Sequence, residues 1–413
     1  MLKSIKISNF KSIDDEIELS FEPAVKKELN EYYLTDDNLL KLSLIYGPNA
    51  SGKTNIVKAI GFIRNFVFNP PKNKEENINI TPFKFREDVR KNSKFVLEFI
   101  EDNIFFSYEI ELNDKNVVKE TLKHKDLTLK KPRFALIFER SEKIVWGNKI
   151  KITKSQEEIL RLNTLPNMSL LSGYLRVNLK IDEIESVIGF FKKILPPIFP
   201  DTKLLGFVLK KLQDGEVGKE EIVKILKNAD FAIDDFDIKE KEIEEDFVEF
   251  LKRIGKEELK NDLKKIEIWF KHFKKYKLEF EEESRGTQRF YQLAVILTLL
   301  AKNSYIVMID EIESSLHPDL LKFFILIFLS NSKNSQMILT THIRELLLEK
   351  EILRKDAIWF CEKKENSSTD LFSLSDFGSE IRDSSSIYNY YKYGKIGAVP
   401  NIKTFLGLFD EKR

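Results

Sequence analysis

Cysteine is nearly absent from this chain of 413 residues: Cys361 stands alone, so no internal disulfide can form. A single thiol fits a reducing, cytoplasmic compartment, and it is expected to pack as a small apolar group. Long apolar runs are also missing. The longest, Phe323 to Leu329, falls far short of the roughly 20 residues that span a bilayer, so no membrane segment is expected. A dominant charge is missing too. The chain sets 68 basic residues against 67 acidic ones, a net of +1, which leaves only local patches to attract nucleic acid. The opening stretch, Met1 to Ile7, largely alternates polar and apolar residues, so it reads as a strand and not as a secretion signal. No repeat or low-complexity tract breaks the chain.

What is present is organised around Gly47-Pro48-Asn49-Ala50-Ser51-Gly52-Lys53-Thr54, which matches the phosphate-loop pattern G-x-x-x-x-G-K-[ST]. The run Leu42 to Tyr46 precedes it as a strand, and Ile56, Val57, Ile60, Phe62 and Ile63 follow at helical spacing. The motif therefore sits where a strand turns into a helix. There the small residues let backbone N–H groups close on a polyphosphate, aided by the positive helix end. Gly47, Asn49, Ser51, Gly52, Lys53, Thr54 and Asn55 are the expected nucleotide contacts. Lys53 would reach the terminal phosphates, and Thr54 would hold Mg²⁺.

The remaining chain supplies a β-rich first half. Residues 2–8 and Ile17 to Phe21 read as paired strands. Lys94 to Ile100, Ile104 to Leu112 and Val117 to Lys125 suggest an antiparallel meander, extended by Ala135 to Glu139 and Lys143 to Trp146. From about residue 155 the period turns helical. Ile184, Val187, Ile188, Phe191 and Ile194 form one face, and Ile222, Val223, Ile225 and Leu226 another. Phe247, Phe250, Leu251 and Ile254 begin a third, continued by Leu263, Ile266 and Trp269. Prolines interrupt and no heptad persists, so this reads as a compact helical lobe and not a coiled coil. Lys277 to Glu282 returns to strand.

Further chemistry lies beyond it. Ser284-Arg285-Gly286-Thr287-Gln288 directly precedes a helix whose start offers free N–H groups, a second anion site. Tyr305 to Ile309 is an apolar run of the kind buried on both faces, and it ends in Asp310-Glu311. At the carboxyl end of such a strand Asp310 would bind Mg²⁺ through its shell, and Glu311 would orient the attacking water. Thr340-Thr341-His342 ends another apolar strand, so His342 can donate to a γ-phosphate.

This order of motifs, with Ser314-Ser315-Leu316-His317-Pro318 after Asp310-Glu311, resembles the soluble ABC-type ATPase heads of the structural-maintenance-of-chromosomes (SMC), RecF and OLD type. The opening Ile5 to Ser12 is similar to their start. A narrower resemblance is to the stand-alone ATPases that include RloA, the lactococcal abortive-infection ATPase and the ATPase subunit of the PARIS phage-defence system. It is carried by Glu283 to Thr287, Ala357 to Phe360, Leu371 to Phe377 and Tyr393 to Pro400. The resemblance implies an α/β fold: an ABC-type P-loop ATPase head, with a mixed sheet and an antiparallel β subdomain, plus a compact helical insertion. The expected divisions are 1–150, the first half of the head; 151–276, the helical lobe; and 277–413, the second half with its tail.

The resemblance further implies ATP and Mg²⁺ as cofactors and a head-to-tail dimer or higher oligomer. ATP at Lys53 of one copy would be closed over by Ser284, Gly286 and Gln288 of the other. Asn9 and Lys11 are additional candidates near the phosphates. No clear glutamine loop precedes the insertion; Thr81-Pro82-Phe83 stands about there. OLD relatives carry a nuclease domain after the ATPase, whereas the stretch after His342 is short and shows no spaced carboxylate cluster. The expected role is therefore the regulatory ATPase of an anti-phage or abortive-infection module, controlling a separate TOPRIM-type effector nuclease. The alternative is a RecF- or SMC-like DNA-repair ATPase that clamps DNA. A metabolic kinase or GTPase is a third reading, and no Asn-Lys-x-Asp base-reading motif supports it.

Overall fold

The computed structural model describes residues 1–24, 29–86, 92–202, 204–229, 231–241, 265–380 and 386–400. The chain forms two compact units. The first comprises 1–200, 304–312 and 333–413, and the second 201–303 and 313–332. The stretch 151–276 thus divides at residue 200 between them.

The first unit holds two sheets. One has seven strands in the order β2-β1-β4-β5-β6-β7-β8. These are β1 (Leu2–Ser8), β2 (Ile17–Ser20), β4 (Ser93–Glu101), β5 (Ile104–Leu112), β6 (Val117–Asp126), β7 (Ala135–Arg140) and β8 (Ile144–Trp146). Every pairing is antiparallel, and β4 alternates buried with half-exposed residues along its whole length, as a sheet with one covered face requires. Phe99 of β4 stacks on Phe190 at 3.8 Å, which seats the helix Asp182–Lys193 on that covered face.

The other sheet orders β12 (Ile306–Ile309), β13 (Gln336–Thr341), β3 (Leu42–Tyr46), β14 (Ile358–Lys363) and β15 (Thr369–Ser373). The first four run parallel, and β15 returns antiparallel along β14. Strands β3, β12 and β13 are buried at every position, which suits the unbroken apolar run of β12 and the largely apolar β3 and β13. Gln336, fully buried, links the two sheets. Its amide accepts from Leu2 N and donates to Leu2 O, both at 2.8 Å, and donates to Leu40 O at 3.0 Å. The aromatic stretch near the carboxyl end packs on this unit: Tyr391 lies against Tyr46 and Phe360, while Tyr393 is exposed.

The second unit has a three-stranded antiparallel sheet, β11-β10-β9, from β9 (Ile233–Lys241), β10 (Lys265–His272) and β11 (Tyr276–Glu279). Its helices include Leu205–Gln213, Lys219–Asn228, Arg285–Lys302 and Pro318–Asn331. One expectation is corrected here. Ile266 and Trp269, assigned to a helical face, lie in β10, where Ile268 and Phe270 alternate as the buried residues. The rest of that expected face, Phe247, Phe250, Leu251, Ile254 and Leu263, lies outside the described residues. Among the described residues no helix is long and apolar enough to cross a membrane.

A buried polar network fixes the far side of the seven-stranded sheet. Glu120 of β6, fully buried, accepts from Tyr108 Oη at 2.9 Å and Leu170 N at 2.7 Å. Its cation is Arg140, which also donates to Met168 O at 2.6 Å and Leu165 O at 3.0 Å. Desolvation still pushes the Glu120 carboxyl above its ordinary range. Replacing Arg140 with Ala strands that carboxylate and two carbonyl acceptors together. Urea unfolding should show a loss of about 3 kcal/mol or more, and a loss under about 1 kcal/mol would contradict this assignment.

Candidate functional site

The parallel register brings the first unit's motifs to one sheet edge. Ile309 pairs with Leu339 and Tyr46 with Thr341, so Asp310, His342 and Gly47 all emerge at the carboxyl ends of adjacent strands. Edges of this kind form the ligand crevice of open α/β sheets.

The phosphate loop runs from β3 into the helix Lys53–Phe68. Gly52 has a φ of +111°, a left-handed region that glycine alone enters freely. Space excludes a side chain as well: a Cβ there would lie 2.0 Å from Thr369 Oγ1, and one at Gly47 would lie 2.1 Å from Cys361 O. Lys53 is buried, and its ammonium donates to Gly47 O at 2.8 Å and Pro48 O at 3.0 Å. Ser51 Oγ is buried with no hydrogen-bond partner, an orphan inside the loop's cradle. Asn49 is exposed at the loop's crest.

Asp310 is buried, and its carboxylate accepts from two hydroxyls. Thr54 Oγ1 donates to Oδ2 at 2.8 Å, and Thr340 Oγ1 donates to Oδ1 at 2.6 Å. Thr340 Oγ1 in turn accepts from Glu311 N at 2.8 Å. Glu311 takes a φ of +45°, left-handed for a residue with a side chain, while its carboxylate stands exposed. Such a backbone costs on the order of 1–3 kcal/mol and persists only where neighbours fix it. Here Asp310 N bonds to Ile198 O and Ile312 N to Thr340 O, on either side of the strained residue. His342 is half-buried, two residues past Thr340. The donor set around Asp310 is all oxygen, a hydroxyl and a carboxylate, and suits a hard divalent cation such as Mg²⁺.

Residues not singled out in the sequence complete the loop's seat. Ser12 Oγ lies 2.7 Å from Thr369 Oγ1, and Asn55 Nδ2 donates to Ser12 Oγ at 2.6 Å. Thr369 Oγ1 donates to Ser51 O at 2.9 Å. Asn55 thus braces the loop through Ser12. Asn9 is buried and tied at both ends of its amide, donating to Asn92 O at 2.8 Å and accepting from Phe83 N at 3.0 Å. Lys11, with a φ of +54°, donates its N–H to Thr81 O at 2.7 Å, so Thr81-Pro82-Phe83 braces the first loop. Its ammonium is lowered from its ordinary value by desolvation and by nearby Lys58. Cys361 is buried beside the loop, its thiol pushed up to about 12 by desolvation, so it is inert at neutral pH.

In the second unit, Ser284 caps the helix Arg285–Lys302, its Oγ accepting from Thr287 N at 3.1 Å. Ser284 is exposed and Gly286 half-exposed, so both reach a surface. A Cβ at Gly286 would approach Ser315 O to 3.0 Å, a tight contact that a glycine avoids. Gln288 folds back, donating to Glu283 O at 3.0 Å.

Against known proteins, a family model described as "AAA domain, putative AbiEii toxin, Type IV TA system" matches residues 42–349. No curated protein matches the chain. Among solved structures, the SMC head domain from Thermotoga maritima is similar at 15% identity, with 90% of this chain and 98% of that one covered and a TM-score of 0.42. An SMC head domain from Pyrococcus furiosus, with an extended coiled coil and bound to the C-terminal domain of ScpA, is similar at 14% identity. There 96% and 98% of the two chains are covered, with a TM-score of 0.40. The matched family model spans both the phosphate loop and Asp310-Glu311, and the chain is an AAA-type ATPase that belongs to that family.

Proposed function

We propose that this ATPase is a switch: two copies close head to tail around ATP, and that closure governs a separate effector protein in anti-phage defence. The observation that carries the reading is the clamp on Asp310, with hydroxyls from Thr54 and Thr340 on its two oxygens and Glu311 turned outward beside it. Thr54 and Asp310 would hold Mg²⁺, which screens phosphate charge when bound. Lys53 would exchange its two loop carbonyls for phosphate oxygens, and the orphaned Ser51 Oγ would find an acceptor. Glu311 would take the proton of the attacking water while His342 donates to the terminal phosphate.

On this reading the phosphates held at Lys53 are covered by a second copy. The exposed Ser284 and Gly286, at a capped helix start, would supply that cover. A defence role is supported by the family's description, which names a type IV toxin–antitoxin system. A TOPRIM-type nuclease encoded nearby is the proposed effector.

Three substitutions separate the parts. Lys53→Ala should weaken ATP binding at least about tenfold in a fluorescent-nucleotide titration. Glu311→Gln should bind ATP normally, hydrolyse it on the order of a hundredfold more slowly and accumulate a dimer by light scattering. Unchanged hydrolysis would remove Glu311 from its role. Ser284→Arg should bind nucleotide yet stay monomeric with ATP; an ATP-dependent dimer of this variant would refute closure in trans.

The effector reading has its own test. Co-expression with the neighbouring gene should yield a complex whose stability changes with ATP. A dimer indifferent to that neighbour, but trapped on circular duplex DNA by Glu311→Gln, would favour a DNA clamp instead.

A further inference from the structure

The outer face of the seven-stranded sheet neutralises its lysines by pairing across strands. Lys94 meets Glu109 at 3.0 Å, Lys119 meets Glu139 at 3.3 Å and Lys6 meets Glu18 at 3.7 Å. That rule stops at the β6–β7 hairpin. Between residues 123 and 134 the chain carries Lys123, Lys125, Lys130, Lys131 and Arg133 against Asp126 alone, whereas the whole chain is only +1. None of the five forms an ion pair among the described residues.

The hairpin is built, not loose. Asp126 Oδ1 closes the turn by accepting from Thr128 N at 2.9 Å and from Thr128 Oγ1 at 2.6 Å. Leu127 N ties the tip to the β4–β5 turn through Asn103 O at 3.0 Å. Residues 127–134 are all exposed. At the end of the tip Phe134, 53% exposed, stands edge-on to buried Phe105, with centroids 5.6 Å apart at 72°. Lys125 Nζ sits 4.8 Å from the Phe105 ring and 5.1 Å from Phe134.

We infer that this hairpin binds a nucleic-acid strand with unpaired bases, its five cations following the phosphates and Phe134 stacking a base. Unpaired cations concentrated on one tip of a near-neutral protein suit an outside polyanion, because the one carboxylate among them, Asp126, is engaged in closing the turn. The ring pair selects among polyanions. Phe134 is held upright by Phe105 and flanked by a cation, which leaves a fixed half-open face suited to stacking. The inference does not depend on the ATPase switch, since every residue it uses lies on β5, β6 or the tip.

The test is fluorescence anisotropy of a labelled oligothymidine of about 20 nucleotides, titrated with the full chain without ATP at several salt concentrations. Wild type should bind, with affinity falling steeply as salt rises. Lys130→Glu/Lys131→Glu/Arg133→Glu should weaken binding by more than tenfold and flatten the log–log salt slope by about two. Phe134→Ala should weaken it about tenfold, with a smaller effect on duplex of the same length. Both variants should keep wild-type ATP hydrolysis, which shows that they fold. Absence of oligonucleotide binding by wild type, or identical binding by the triple variant, overturns the proposal. So does binding to phosphatidylserine vesicles without binding to the oligonucleotide, which would make the tip a membrane contact.

Discussion

The structure depends on one buried carboxylate. Asp310 is 3% exposed, and no ion pair reaches it among the described residues. A charge removed from water must be matched locally or it destabilises the fold. Two threonine hydroxyls meet that need only in part, since a hydrogen-bonded carboxylate keeps its full charge. On the proposed reading a divalent cation would complete that match, beside the start of the phosphate-loop helix. A single acidic residue thus joins β12, β13 and the phosphate loop.

Register is supplied by burial. Strands β3, β12 and β13 are buried at every position, so a slip by one residue would force polar Ser43 or Gln336 out of its present setting. Gln336 carries this constraint into the second sheet, because its amide bonds to both backbone groups of Leu2. The strain at Glu311 is tolerable for the same reason. Its neighbours' N–H groups are held by Ile198 and Thr340, so relaxing its φ would break bonds on both sides.

Much of this was legible before any coordinates. The run Ile104 to Leu112 alternates clearly enough that its ends match those of β5, and the phosphate loop falls between strand and helix as its pattern requires. The place of Asp310 and Glu311 at the end of a buried strand was legible because the apolar run Tyr305 to Ile309 stops there. Ile266 and Trp269 were misread because a spacing of three fits a helix. The competing period of two, through Ile268 and Phe270, was in the same stretch and won because β9 and β11 lie on either side to pair with it. Ser12 and Thr369 left no signal. Each is a small hydroxyl residue in a polar stretch, and their contact spans 357 residues of sequence.

That silent contact changes how the loop should be understood. A phosphate loop is usually described from its own glycines, yet here the space those glycines free is filled from the far end of the chain. Cys361 O occupies the position a side chain would take at Gly47, and Thr369 Oγ1 the position at Gly52. Thr369 also bonds to Ser51 O, and Ser12 joins it to Asn55. The loop is therefore held open by β14 and β15 on one side and by the β1–β2 turn on the other. These contacts tie the shape of the phosphate loop to the position of the β14–β15 hairpin.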